Sequence, residues 1–395
     1  MEAENLNTFS RSETLDRLPK QFFSNLTNKA QKVVNEGHDV INLGRGNPDT
    51  PTPPRIIKAL QQAAENPINH KYAPFRGFSY LKEAVATFYQ KEYDVNIDAD
   101  KEVAVLFGSR SGLIELSQCL LNPGDTALLP DPGYPDYDAG IALANAKKEA
   151  FPLLAENHFL PDYSSMPQSQ LERAKLLFLN YPNNPTAATA TKDFFDETVS
   201  IAKEHDICVV HDFAYGAFGF DGEKPVSFLQ SEGAKEIGIE TYTLSKTYNM
   251  AGWRVAFAVG NPSVIEHINK LQDHLYASIF GAIQFAAADA LTGDQNIVEN
   301  LRSMYESRRN TFMAKLNEIG WEVKWPTSTF FAWLPVPQGY TSEEFADLLL
   351  YKAHVVVAPG NGFGLSGEGY VRVGLLDSEE RLEEAAERIG ALNIF

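Results

Sequence analysis

Tyr242-Thr243-Leu244-Ser245-Lys246-Thr247-Tyr248-Asn249-Met250-Ala251-Gly252-Trp253-Arg254 is the stretch on which the reading of this chain turns. The run before it, Ile237 to Thr243, is β-branched and alternating, which predicts a strand ending just ahead of Lys246. An amine at a strand end can form an imine with an aldehyde, and the flanking Ser245 and Arg254 can hold a phosphate. Read alone, Ser245-Lys246 is equally a surface loop. The rest of the chain separates the two readings.

Other apolar runs repeat the pattern of a strand followed by a distinctive turn. Val103–Phe107 leads to Gly108-Ser109-Arg110-Ser111-Gly112, and Thr126–Pro130 leads to Asp131-Pro132-Gly133-Tyr134. Lys175–Leu179 leads to Asn180-Tyr181-Pro182-Asn183-Asn184-Pro185, and Ile207–His211 leads to Asp212-Phe213-Ala214-Tyr215. Arg254–Val259 completes the set. Continuous apolar runs read as buried parallel strands. Helical stretches intervene at 112–121, 192–205 and 262–277, so the expected class is α/β. Ligands of open α/β sheets collect at the carboxyl ends of strands, and these turns are expected to share one site. From about residue 291 the pattern changes to a long helix, 297–319, and shorter strands at 330–334 and 370–375, as in a smaller α+β unit.

The chain has 395 residues, 44% of them hydrophobic, and a formal net charge of −18. That size suggests two packed domains. The charge argues against nucleic acid or an anionic membrane as partner. It also opposes anionic ligands, so each placed arginine is informative. Cys119 and Cys208 lie in separate apolar runs and read as small core residues in a reducing cytoplasm. The acidic start Met1-Glu2-Ala3-Glu4 shows no signal-peptide core, and no apolar run approaches membrane-spanning length.

The turns offer the groups that pyridoxal 5′-phosphate (PLP) demands: an amine for its aldehyde, a carboxylate for its ring nitrogen, a phenol near its 3′-oxygen, an aromatic face, and donors for its phosphate. Asp212 suits the ring nitrogen, although an aspartate there can also cap a helix. Tyr215 suits the 3′-oxygen, and Tyr134, rigidly placed between Gly133 and Pro135, suits the stacking face. Ser109 and Arg110 open a helix whose N–H groups favour phosphate. Arg372 alternates with valines in Tyr370-Val371-Arg372-Val373-Gly374; it either snorkels to water or meets an anion, and the set favours a substrate carboxylate. His211 is expected to orient its neighbour Asp212 rather than to bind metal. Gly44-Arg45-Gly46-Asn47-Pro48 lacks the third glycine of a dinucleotide loop, and its prolines argue against a helix there.

On these residues the chain resembles the class I/II aminotransferases of fold type I over nearly its whole length. The pieces that carry the resemblance are Gly44–Pro48, Tyr72, Gly108–Arg110, Pro132–Pro135, Tyr181–Thr186, Asp212–Tyr215, Ser245-Lys246 with Gly252–Arg254, and Tyr370–Gly374. The resemblance implies a large PLP-binding domain over 46–290 with a mostly parallel seven-stranded sheet flanked by helices. It also implies a small domain over 291–395, and a segment over 1–45 packing on the small domain or a partner. It further implies that Lys246 holds PLP as a Schiff base, Asp212 its ring nitrogen, and Asn184 and Tyr215 its 3′-oxygen. Tyr134 then stacks, and Ser109, Arg110, Ser245 and Arg254 hold the phosphate. Tyr72 is expected to reach the phosphate of a neighbouring subunit, which makes a homodimer with composite sites. Arg372 and Asn184 are expected to bind the substrate carboxylate, and the Gly44–Gly46 backbone lines the pocket.

Within that family the chain is most similar to the methionine-salvage branch, through Leu18–Phe23, His70–Tyr72, Asp131–Tyr137, Val209–Gly219 and Tyr242–Val255. This implies amination of 2-oxo-4-methylthiobutyrate to methionine with glutamine or a similar donor. The segment Tyr276–Gly281 offers no arginine for a distal carboxylate, so an apolar side chain is expected. LL-diaminopimelate, aspartate or aromatic amino acids are the alternatives within transamination. A PLP-dependent carbon–sulfur lyase would share these residues, whereas a regulator would need a DNA-binding domain for which the N-terminus leaves no room. Two departures stand out: Ala187 occupies a position where many relatives have glycine, and Arg110 one where a lysine is more usual.

Overall fold

The computed structural model describes residues 9–19 and 22–395. Residues 1–8, and Lys20 and Gln21 within the matched stretch Leu18–Phe23, lie outside the described residues. In chain order the strands are β1 Ile41–Asn42, β2 Val103–Leu106, β3 Thr126–Asp131, β4 Lys147–Pro152, β5 Ala174–Leu179 and β6 Cys208–Asp212. They continue as β7 Gly238–Thr243, β8 Ala256–Gly260, β9 Phe331–Pro335, β10 Val355–Val356, β11 Ala358–Pro359 and β12 Tyr370–Gly374.

Seven strands form one sheet in the order β2-β8-β7-β6-β5-β3-β4. Pairings from β7 through β4 are parallel. β8 runs antiparallel to both β2 and β7, so its apolar run does not mark a parallel strand. A strand buried on both faces is apolar throughout whichever way it runs. Helices cover both faces. On one side Leu113, Leu116 and Ile268 meet Ala104, Phe178 and Ile239. On the other, Tyr89, Phe195 and Phe213 pack with Leu177, Val209 and Tyr242.

The antiparallel sheet β11-β12-β9 is a separate layer, and β1 pairs in parallel with β10 beside it. Helix Phe22–Asn35 seats Ala30 and Val33 against Leu350 and Val356. The long helix Asn296–Glu318 spans both layers: Tyr305 packs with Phe218 and Phe330, while Phe312 and Leu316 enter the core with Leu334 and Val373. Cys119 and Cys208 are free and half-buried, at the margin of the core rather than within it. No helix among the described residues is long and apolar enough to cross a membrane.

Candidate active site

The carboxyl ends of β3, β5, β6 and β7 open on one cleft, with a cavity of about 700 Å³. Its walls include Gly44, Gly46, Ser109, Arg110, Tyr134, Asn184, Asp212, Tyr215, Ser245, Lys246, Arg254 and Arg372. Every expected site residue is therefore gathered there except Tyr72, which stands on the surface at 91% exposure.

β7 delivers Lys246. The strand ends at Thr243, whose hydroxyl caps the single turn Leu244–Thr247 by accepting from Ser245 N–H at 3.2 Å. Lys246 Nζ donates to Gly46 O at 2.6 Å and lies 5.5 Å from the centre of the Phe330 ring. Burial lowers its pKa to about 8, and the charge of Arg372 pushes the same way while Asp212 opposes. A much larger share of the amine is therefore neutral near pH 7 than for a free lysine, and it becomes mostly a nucleophile and base above about pH 8.

β6 ends at Asp212, which is 4% exposed. Tyr137 donates its hydroxyl to Asp212 Oδ2 at 3.1 Å, and Thr241 to Oδ1 at 3.4 Å. Burial raises the carboxyl to about 6, and the Tyr137 bond moderates the rise. An acceptor-only group in so closed a place suits a cationic N–H. His211 does not orient Asp212. Successive strand residues face opposite sides, and its ring meets Glu240 and the Tyr181 backbone instead.

The helix Ser109–Leu120 begins after Gly108, whose φ is +80°. A Cβ there would collide with the Arg254 guanidinium, so only glycine lets that cation approach the helix N-terminus. Arg254, itself left-handed at φ +55°, donates to Ala251 O at 2.8 Å. Arg110 lines the cleft, but its guanidinium is paired with Asp136 at 2.5 Å.

Arg372 does not snorkel: it is 2% exposed. Its guanidinium lies 4.1 Å from the Phe331 ring centre and 4.7 Å from that of Phe363. Nη1 donates to Asn184 Oδ1 at 2.8 Å and Nη2 to Gly44 O at 3.1 Å, while Nε is buried without a partner. Such a fork, half satisfied and enclosed, is suited to a carboxylate. Burial lowers its pKa to about 10, so it keeps its charge.

Several wall residues carry no assignment in the sequence reading: Phe23, Leu26 and Thr27 from the helix Phe22–Asn35, together with Asn42, Asn180 and Phe331. Leu26 sits on an amphipathic helix beyond the motifs, and Phe23 closes the matched stretch Leu18–Phe23 without a role being assigned to it there. Asn180 was visible as the first residue of its turn. Ala187, the departure from glycine, adopts φ +57° and is buried. No cluster of metal-ligating side chains occurs among the described residues.

A mostly parallel sheet whose strand ends bring a lysine of lowered pKa and a buried aspartate against a caged arginine from a second, antiparallel layer is the architecture of fold type I enzymes. The chain belongs to the aminotransferase class I and II family, whose sequence model matches residues 38–389. It is 63% identical to the L-glutamine–4-(methylsulfanyl)-2-oxobutanoate aminotransferase of Bacillus subtilis, over 98% of this chain and 97% of that one. It is 44% identical to an LL-diaminopimelate aminotransferase of Moorella thermoacetica, over 94% and 95% of the two chains. The substrate-bound BacF structure from Bacillus subtilis superposes with a TM-score of 0.94 at 48% identity, covering 98% of each chain.

Proposed function

We propose that this protein is a PLP-dependent aminotransferase that makes methionine from 2-oxo-4-methylthiobutyrate, with glutamine or a similar amino acid as donor. The observation that carries the proposal is the convergence of Lys246, Asp212, Arg254 and Arg372 on one cleft from distant parts of the chain. The identity to the glutamine-using relative supports the substrate pair.

The residues fit the cofactor. Asp212 is a buried, acceptor-only group at the floor of the cleft, and the glycine at 108 keeps a cationic cradle open. Ser109, Ser245 and Arg254 would hold the phosphate, with Arg110 contributing once released from Asp136. Asp212 would hold the ring nitrogen, Tyr215 and Asn184 the 3′-oxygen, Tyr134 the ring face, and Lys246 the aldehyde carbon. Bound there, PLP supplies an electron-withdrawing ring that makes the substrate Cα–H acidic.

The chain's own groups do the rest. Arg372 and Asn184 fix the substrate carboxylate and so aim Cα–H at Lys246. The Lys246 amine, neutral above about pH 8, takes that proton and returns it. Asp212 stays ionised at neutral pH and compensates a protonated ring nitrogen. Phe23, Leu26 and Phe331 give the substrate side chain an apolar wall, which suits an unbranched thioether. Arg45 and Arg110, the other wall cations, are engaged by Asp377 and Asp136.

We also propose a cytoplasmic homodimer in which Tyr72 completes the neighbour's phosphate site, and domain limits near residues 45 and 290. Mixed dimers of Tyr72→Ala and Lys246→Ala chains should regain activity that neither variant has alone.

The decisive experiment supplies single amino acids to the PLP-loaded enzyme and ranks the rates at which the cofactor's absorbance band is lost. Methionine and glutamine should rank near the top. If both fall near the bottom, the substrate assignment fails. Pyruvate and ammonia released from a cysteine-type substrate without any oxo acid would indicate a lyase.

A further inference from the structure

On the sheet face turned away from the cleft, His211 and Glu240 form a buried couple with no role in the steps above. Both are 0% exposed. Glu240 Oε1 accepts from the Tyr89 and Ser227 hydroxyls, each at 2.7 Å. Its Oε2 accepts from Phe228 N–H at 2.9 Å and lies 2.7 Å from His211 Nδ1. A carboxylate so placed can only accept, so Nδ1 carries the proton; this assigns the tautomer from the network. His211 Nε2 then faces the backbone of Tyr181, 3.2 Å from its N–H and 2.9 Å from its carbonyl. A neutral ring accepts from the first and an imidazolium donates to the second. Either way the side chain is tied to the same residue.

Tyr181 lies inside the turn that serves the cleft. Asn180 Nδ2 donates to the Asp212 carbonyl at 2.6 Å, and Asn184 N–H donates to Asn180 Oδ1 at 2.7 Å. Asn184 Oδ1 in turn accepts from Arg372. Hydrogen bonds, joined by the peptide link from Tyr181 to Asn180, thus lead from Glu240 through His211 and the turn to the guanidinium. Burying such a polar group costs free energy that an apolar pair of similar size would not incur.

We infer that His211, oriented by Glu240, is a positioning residue for the transamination: it grips the 180–185 turn from behind the sheet and sets Asn184 against Arg372 and the substrate carboxylate. This rests on the aminotransferase reading given above.

The test uses the PLP-loaded enzyme. His211→Asn keeps the contact with Glu240 but cannot reach Tyr181, whereas His211→Gln extends an amide towards it. His211→Asn should raise KM for amino donor and oxo acid roughly tenfold, about the effect of one lost hydrogen bond, with a smaller change in kcat. It should weaken binding of the unreactive acid 4-(methylsulfanyl)butanoate by a similar factor, and His211→Gln should recover most of the loss. Phe195→Leu is the packing control, its ring 5.0 Å from that of His211. It should lower thermal stability without moving KM. Unchanged KM in His211→Asn, or an equal rise in Phe195→Leu, would overturn the inference.

Should His211→Asn not fold, the Glu240 variants decide. Glu240→Gln still accepts from Nδ1 and must leave KM near wild type, while Glu240→Leu must raise it. A wild-type protein that binds the unreactive acid but shows no transamination would sink the enzymatic reading separately. The acid's affinity in the variants would then still report on the turn.

Discussion

Arg372 Nη1 donates to Asn184 Oδ1 at 2.8 Å, joining strand β12 to a turn 188 residues earlier in the chain. With Nη2 on Gly44 O and two aromatic rings against its faces, the guanidinium has little freedom left, and its Nε edge awaits an acceptor. Arg372→Lys keeps the charge but loses the planar fork and the stacking. We expect kcat/KM to fall by roughly 10²-fold, about 2–3 kcal/mol, chiefly through KM for both substrates. Steady-state kinetics showing less than a threefold loss would contradict the clamp.

Lys246 should react as an amine of pKa about 8. Its pKa is lowered from 10.5, so the neutral form predominates above pH 8 rather than only in strong alkali. In cofactor-free protein the rate of forming a borohydride-trappable adduct with PLP should climb through pH 8 and then level. Arg372→Met removes a charge that depresses the amine and should move the midpoint upward. A rate still climbing at pH 10 would refute the environment described for this lysine.

Asp212 carries a stability cost with a definite sign. Its pKa is raised from 3.8 to about 6 by burial. The folded state therefore holds this proton more tightly, and the support it gives is present below pH 3.8 and lost as pH rises through 6. At pH 7.5 the ionised group opposes folding by up to about 3 kcal/mol. Cofactor-free Asp212→Asn should thus be more stable than wild type by about 1–3 kcal/mol at pH 7.5, and by almost nothing at pH 4. Its turnover should drop by at least about 10²-fold. Thermal unfolding at the two pH values checks the first claim; an equal gain at both would reject it.

Gly108→Ala should loosen the cofactor without unfolding the helix behind it. The new Cβ meets the far end of the Arg254 side chain, which can swing aside. At φ +80° and ψ 152° alanine is also strained, lowering stability by about 1–3 kcal/mol, while displacement of Arg254 falls on phosphate binding: roughly 10–100-fold in PLP affinity, as for one charge-assisted hydrogen bond. Equilibrium dialysis would measure it. Wild-type affinity would mean that Arg254 does not serve the phosphate.

Much of this was legible in the sequence because buried strands and their turns write themselves as apolar runs ending in Asp, Asn, Gly and Pro. Helix Lys192–His205 falls on its expected limits, and β5 and β6 begin or end within one residue of theirs. β4 escaped because it is an edge strand: Lys147-Lys148-Glu149 faces solvent, and polar edges lack the apolar signature. The direction of β8 escaped because hydrophobicity carries no polarity. Phe23 and Leu26 reach the cleft only through tertiary packing of an N-terminal helix. His211 was assigned to the wrong neighbour: adjacency in sequence suggested Asp212, while the pleat turned the ring to Glu240.

The pairing of β1 with β10 has a consequence for how the protein is made. Gly44 and Gly46 are translated early and Arg372 near the end, yet they close the same pocket. The seven-stranded sheet can assemble while synthesis is under way, since its strands all lie before residue 261. The closed pocket cannot: a nascent chain halted before β12 would carry Lys246, Arg254 and Asn184 but lack the guanidinium of Arg372, on which the proposed grip of a substrate carboxylate depends.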